Sequence, residues 1–356
     1  MQSSKFTLSR LSIFYLLISI IQLSLFEKWG WTIPETHYRS EYYESILPRF
    51  LKSNLGQFIG KKNKKIAYSI FENPNEKAAL VILTGRGLPM INYTELVTDL
   101  EPLELSAYLM DHRGQGYSDR IVTPPHVQFV DHFQDYVDDV HTFFTQIVQA
   151  KKHKKIILIG ESLGGAVGTL FQIQNPGIVD GIILSAPMFG VVGLSELSWI
   201  ASPIANAEIR SGHGADYFLH EEKDPAFFGN LLTSSRERYL VRQEFYREYP
   251  ETLIDGVSYQ WISAILDGMA EIKSKVNLYS TPTLLFQAGK DQVVKKRSQN
   301  YFCANTRRCQ LVKIPDSKHE LLFERDQIRN QVIQEIQKFI EDLLASNRLQ
   351  SERNQT

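Results

Sequence analysis

The chain alternates short, wholly apolar runs with longer amphipathic stretches, the pattern of parallel strands buried on both faces and joined by helices. Four runs stand out as strands: Leu80, Val81, Ile82 and Leu83; Ile156, Ile157, Leu158 and Ile159; Thr283, Leu284, Leu285, Phe286 and Gln287; and residues 309–314. Each opens into a loop rich in glycine or polar residues: TGRG at 84–87, GESLGG at 160–165, AGKDQVV at 288–294 and PDSKHE at 315–320. After GESLGG a helical pattern continues through Gln174 and is closed by Asn175-Pro176-Gly177. A last helix is predicted over 327–346, where Ile328, Val332, Ile333, Ile336, Ile340 and Leu343 recur at helical spacing and mark a face packed on the core. The fold class is therefore α/β, a mostly parallel central sheet with helices on both faces.

The spacing of these elements is uneven. From Ala186-Pro187 to Thr281-Pro282 the chain makes a detour far longer than an ordinary strand-to-helix connection, which predicts a helical cap at about 188–280. Phe189, Trp199, Ile200, Tyr217, Phe218, Phe227, Phe228, Leu231, Leu232 and Trp261 fall within it. Some must form the cap's own core, and together they suit an apolar lid over a binding crevice. At the N-terminus, Lys5 and Arg10 precede the charge-free residues 11–26, which are followed by Glu27, Lys28, Trp29 and Trp31. That run lies between a signal-peptide core and a full membrane span. The first alanine is Ala67, so no AxA-like cleavage site follows, and residues 1–27 read as an uncleaved signal anchor rather than a removed signal peptide. The basic end would stay in the cytoplasm and the sheet domain would be exported; the alternative is an apolar helix holding a cytoplasmic domain to the inner face. Residues 28–60 form a tyrosine-rich connecting segment of unassigned shape, 61–346 the sheet domain with its cap, and 347–356 a polar tail that frays.

Composition narrows the function. With 356 residues, 43% hydrophobic and 22% charged, one α/β domain with an insertion is a better description than two independent domains. A net charge of -1 argues against nucleic acid as a partner. The basic clusters at 61–65 and 151–155 read as solvated loops. No repeat, phosphate-binding glycine loop or metal-ligand cluster is visible, so neither metal nor cofactor is expected. The two cysteines, Cys303 and Cys309, are placed for a local disulfide in an oxidising compartment, although a reduced pair would look the same.

The chemistry is carried by Gly160-Glu161-Ser162-Leu163-Gly164, a GxSxG nucleophile elbow between strand and helix. Such a turn holds the serine in a strained conformation and presents its hydroxyl at the positive end of a helix, while Gly160 and Gly164 leave room for the neighbouring backbone. The plainer alternative for Ser162 is a helix N-cap. An elbow serine calls for an acid and then a histidine later in the chain. Asp291 is the acid of the loop after the 283–287 strand, where α/β sheets place functional side chains, with a turn cap as its plainer role. His319 is the only histidine of the nine beyond Asp291. In that arrangement His319 takes the Ser162 proton and Asp291 fixes the imidazole. Asp316 is a rival acid but lies close to His319 in sequence. The oxyanion donors expected are the amides of Leu163, after the nucleophile, and of Arg86, in the TGRG loop. The Arg86 side chain either reaches an anionic head group or points to solvent.

These residues resemble the α/β-hydrolase superfamily, and within it the branch of bacterial lysophospholipases and monoacylglycerol lipases. Asp111-His112-Arg113-Gly114-Gln115-Gly116-Tyr117-Ser118 is similar to that branch's DxRGxGxS loop, Gly289-Lys290-Asp291 to its acid loop, and His319-Glu320 with Glu324 to its histidine motif. Gly114 and Gly116 make the first of these a tight loop, in which Asp111 and Arg113 are expected to form an internal polar brace; His112 precedes the nucleophile and is a poor triad member. One departure is Thr84-Gly85-Arg86-Gly87 where monoacylglycerol lipases usually carry HGxG, which favours the lysophospholipase side. The resemblance implies hydrolysis of the acyl ester of a lipid with one acyl chain, first a lysophospholipid, through an acyl-enzyme on Ser162. The alternatives are a monoacylglycerol lipase or other carboxylesterase, an acyltransferase, and a catalytically silent scaffold that binds a lipid or a partner.

Overall fold

The structure, a computed structural model, describes residues 32–222 and 225–353, with side chains through 346. The apolar segment 11–26 lies outside the described residues, and among those described no helix is long and apolar enough to cross a membrane.

The main sheet is built from β1 (Asn54–Ile59), β2 (Lys65–Phe71), β3 (Ala78–Leu83), β4 (Leu105–Met110), β6 (Ile156–Glu161), β7 (Gly181–Ser185), β10 (Thr283–Ala288) and β11 (Cys309–Ile314). Their spatial order is β1-β2-β4-β3-β6-β7-β10-β11. The β1–β2 and β2–β4 pairs are antiparallel and every other pair in the sheet is parallel. Every residue of β3, β4, β6, β7 and β10 is buried, which is why these strands read as continuous apolar runs; the edge strand β11 is only partly covered. Helices Phe133–Gln146 and Leu163–Gln174 pack on each other through Phe144 and Phe171, whose ring centroids are 4.7 Å apart. The closing helix, Asp326–Arg353, buries Ile328, Val332, Ile333, Ile336, Ile340 and Leu343 and continues past residue 346.

The order of the strands positions the site. The chain steps from β3 to β4 on one side and later returns to place β6 on the other, so the carboxyl ends of β3 and β6 flank a point where the winding reverses. Crevices at such points are where open α/β sheets bind ligands. The TGRG and GESLGG loops leave from these two ends.

The stretch between β7 and β10 forms the cap. It holds helices Ser198–Arg210, Arg236–Glu248 and Tyr259–Lys275, but it is not purely helical: β8 (Tyr217–His220) and β9 (Gly256–Ser258) lie in it. With β5 (Val127–Gln128) from before the elbow they form a three-stranded sheet in the order β5-β9-β8. The cap is therefore stitched to the main domain by backbone pairing. Its aromatic residues divide, with Trp261 4% exposed and Trp199 and Phe228 at 73% and 95%.

Residues 32–60, the described part of the connecting segment, have a shape that composition does not reveal. A helical run leads from Glu35–His37 to Leu47–Leu51. It buries Tyr38, Tyr42 and Ile46 in a small cluster with Val241 of the cap. Arg238 seals the junction by pairing with Glu95 at 2.8 Å and Asp326 at 3.2 Å beneath the Tyr38 ring.

The DHRGQGYS loop departs from the expected brace. Asp111 and Arg113 do not pair with each other. Asp111 accepts the amides of Met90 and Tyr117, whereas Arg113 reaches across to Asp139 at 2.6 Å. Each side chain thus ties the loop to a different neighbour. The disulfide question resolves as a Cys303–Cys309 bridge beside β11.

Candidate active site

Ser162 is the junction between β6 and helix Leu163–Gln174, with φ 47° and ψ -108°. An L-residue holds such angles only when its surroundings fix them. Here the Ser162 amide donates to Ser185 O at 2.9 Å, and its carbonyl accepts the amides of Met188 at 2.9 Å and Ala166 at 3.1 Å. The glycines make the approach possible. A Cβ on Gly164 would run into the Leu83 and Thr84 carbonyls at the end of β3, and one on Gly160 would strike Gly164 and Gly165. The Ser162 hydroxyl makes no N-cap bond. It meets His319 Nε2 at 3.0 Å instead, which separates it from the plain capping role.

His319 sits between β11 and the last helix, and its Nδ1 meets Asp291 Oδ2 at 2.9 Å. Asp291 uses its other oxygen to accept the amides of Val293 at 2.8 Å and Val294 at 3.0 Å. It is thus both a turn cap and a partner for the imidazole. All three side chains are buried. The acid and histidine loops are laced together, Gly289 donating to Ile314 O and Lys290 to Ser317 O. Glu324, fully buried, accepts the Lys318 amide at 2.8 Å and the Ser234 amide at 3.1 Å, fixing the His319 loop against the cap. Asp316 stands outside, exposed and paired with Lys290.

The electrostatics follow from this packing. Burial disfavours a charged His319, but the hydrogen bond and charge of Asp291, with Glu320 nearby, outweigh it and hold the imidazole above its ordinary value. Burial likewise opposes the Asp291 carboxylate, yet His319 and the two valine amides keep it below the usual range. His112 is buried edge-on to Tyr136 and pulled down to about 4 by burial, so it stays neutral and apart from the triad.

The TGRG loop lies over the start of the elbow helix. Its Gly85 amide donates to Tyr93 Oη at 2.8 Å, the Gly87 amide to Gln115 Oε1 at 3.1 Å, and Gln115 Nε2 returns to Gly85 O at 2.8 Å. Among the described residues the amides of Arg86 and Leu163 have no acceptor; an open first-turn amide beside a serine is what an oxyanion requires. The Arg86 side chain is not free in solvent. It pairs with Glu221 of the cap at 2.7 Å.

Several participants escaped the sequence reading. Glu161, inside the motif, is fully buried and accepts the Tyr93 hydroxyl at 2.5 Å. Glu320, next to His319, is paired with Arg242 of the cap at 2.6 Å. Both carboxyls sit inside quoted motifs, but their partners are dozens of residues away. Gln115 also lies in a quoted motif, and only its contact with the TGRG loop gives it a role.

Comparison with known proteins shows the family and the fold. The family model described as serine aminopeptidase, S33, matches residues 74–326. Lysophospholipase L2 of Escherichia coli (strain K12) is 34% identical over 293 residues, covering 80% of this chain and 86% of that protein. A probable lysophospholipase L2 of Haemophilus influenzae is 25% identical over 319 residues, covering 86% of this chain and 98% of that one. A soluble variant of monoglyceride lipase from Saccharomyces cerevisiae, solved with a substrate analogue, aligns with a TM-score of 0.64 at 16% identity, covering 82% of this chain and 96% of that chain, a likeness of fold.

Proposed function

The chain belongs to the serine aminopeptidase S33 family of α/β-hydrolases, and from that premise we propose that it hydrolyses the acyl ester of a single-chain lipid, in the first place a lysophospholipid. The observation that carries the reading is the unbroken path from Ser162 Oγ through His319 to Asp291, on a serine held at positive φ. A relative 34% identical over most of both chains bears the name lysophospholipase, which supports the substrate class.

The chemistry is acyl transfer to water. Ser162 Oγ attacks the ester carbonyl as His319 Nε2 takes its proton, and Asp291 stabilises the imidazolium that forms. The carbonyl oxygen, now an anion, rests on the amides of Arg86 and Leu163. Collapse breaks the bond to the glycerol oxygen, which leaves with the proton from His319. Water, deprotonated by the same imidazole, then attacks the acyl-serine and releases the fatty acid and free Ser162. The mechanism uses no metal or cofactor.

The apolar segment 11–26 acts in this proposal as an uncleaved anchor, with the catalytic domain on the exported side. Lys5 and Arg10 before the segment and the Cys303–Cys309 bridge support that orientation. Protease added to intact spheroplasts should digest the domain; protection until lysis would place it on the inner face.

The functional test is free fatty acid release by purified protein from a lysophospholipid and a monoacylglycerol with the same acyl chain, alongside Ser162→Ala. Release from the lysophospholipid that disappears in the variant is expected. Release from the monoacylglycerol alone would move the assignment to a lipase, acylated alcohol in place of fatty acid to a transferase, and no turnover to a binding scaffold.

A further inference from the structure

The cap and the loop proposed to hold the oxyanion meet at an ion pair that is part exposed, unlike the two buried pairs that anchor the cap. Arg86 Nη2 donates to Glu221 Oε1 at 2.7 Å, with the guanidinium 5.9 Å from the centroid of the buried Trp261 ring. Arg242–Glu320 and Arg238–Glu95 are buried pairs, whereas the Arg86 and Glu221 side chains keep 28% and 37% of their surface open. A pair so exposed contributes little to holding a cap in place. Its location beside the oxyanion loop and its unused atoms point elsewhere.

Among the described residues the Arg86 guanidinium engages only Nη2, leaving Nε and Nη1 for a ligand, and Glu221 leaves Oε2. A planar fork of this kind matches the oxygens of a phosphate, and Trp261 gives the guanidinium a face to lie against. The loop that carries Arg86 abuts the elbow: a Cβ on Gly85 would lie 3.8 Å from Glu161, and Gly164 touches the Leu83 and Thr84 carbonyls. Arg86 thus sets one amide at the position proposed for the ester oxygen while its side chain extends toward the cap. In a lysophospholipid the phosphate lies across the short glycerol from that ester, within reach of an arginine side chain.

We propose that Arg86 and Glu221 form a two-point head-group site, the guanidinium taking the phosphodiester of a lysophospholipid and the carboxylate taking the ammonium group beyond it. The alternation of phosphate, guanidinium, carboxylate and ammonium satisfies all four charges at once. A neutral monoacylglycerol gains nothing from the pair, so the site separates the two substrate classes by a difference in affinity. This inference rests on Ser162 being the nucleophile.

The test compares kcat/KM for lysophosphatidylethanolamine, lysophosphatidylglycerol and monoacylglycerol of one acyl chain, at monomeric concentrations, in wild type, Arg86→Gln, Arg86→Lys and Glu221→Gln. Arg86→Gln is expected to lower the ratio of lysophosphatidylethanolamine to monoacylglycerol about tenfold or more, mainly through KM, with partial recovery in Arg86→Lys. Glu221→Gln is expected to lower the ratio of lysophosphatidylethanolamine to lysophosphatidylglycerol severalfold, because the second lipid has the phosphate without the ammonium. Ratios unchanged within about twofold, with all substrates declining together, would reduce the pair to a cap latch and overturn the site. Glu221 is part exposed, so its variant keeps the comparison meaningful if an Arg86 variant unfolds. Hydrolysis that survives Ser162→Ala would instead overturn the nucleophile assignment and the head-group site with it.

Discussion

The Tyr93 hydroxyl stands between the TGRG loop and the GESLGG turn, accepting the Gly85 amide at 2.8 Å and donating to Glu161 Oε2 at 2.5 Å. Glu161 immediately precedes Ser162, so one hydrogen-bonded strut ties the proposed nucleophile to the loop proposed to receive the oxyanion. The strut ends on an acid in an unusual state. Burial, reinforced by the nearby charge of Glu320, pushes the Glu161 carboxyl up to about 8. At neutral pH it mostly holds its proton and adds no full negative charge behind His319.

That state makes stability depend on pH. The folded form keeps the Glu161 proton up to about 8, whereas an unfolded glutamate loses it near 4.5, so between those values the native state binds more protons. Stability from this group is complete below the lower value and is lost as pH rises through the window. Glu161→Gln removes the effect. Its Tm relative to wild type should climb from about pH 5 to about pH 8 and level off above that; a constant difference would contradict the raised pKa.

His319 must be neutral to take the serine proton, so kcat/KM should rise with pH along a limb set above the ordinary imidazole value of 6.5. Asp291→Asn should lower kcat about a thousand- to ten-thousand-fold and shift that limb down, since the charge that raises the imidazole is gone. A pH-rate profile of both proteins checks it. An unmoved limb would separate Asp291 from the titration of His319.

Gly164→Ala tests the contact between elbow and oxyanion loop. The new methyl group would collide with backbone, the Leu83 and Thr84 carbonyls, and cannot be relieved by a rotamer change. A loss of about 1–3 kcal/mol in urea unfolding and a larger fall in kcat than in KM are expected. Wild-type kinetics with wild-type stability would mean that the loops are looser than their packing implies.

Arg242→Ala strands Glu320 in the protein interior next to His319. Loss of one partner of a buried pair costs about 3–5 kcal/mol. Urea titrations of the variant and the wild type measure the loss; an unchanged unfolding midpoint would contradict a buried, load-sharing pair.

Much of this was written locally in the chain. The buried strands β3, β6 and β10 show as apolar runs, because parallel strands covered on both faces have no polar side to alternate. The elbow shows because its glycines and its serine must be contiguous. What stayed hidden depends on distance along the chain. Tyr93 and Glu161 are 68 residues apart, Arg113 and Asp139 are 26, and Arg242 and Glu320 are 78. Nothing local distinguishes a buried, paired arginine from a solvated one. The helical run after residue 34 was also silent, although Tyr38, Tyr42 and Ile46 are spaced by helical turns, because the surface it packs on belongs to the cap. Likewise the cap sheet depends on β5, two residues from before the elbow that carry no strand signal of their own.

The most direct test of the account is the intact mass of the protein after exposure to a long-chain fluorophosphonate, with the adduct located by peptide mapping. One adduct per chain, on Ser162, absent in Ser162→Ala and formed far more slowly in His319→Ala, is the predicted result. No adduct, or an adduct on another residue, would contradict the assignment of Ser162 as the nucleophile.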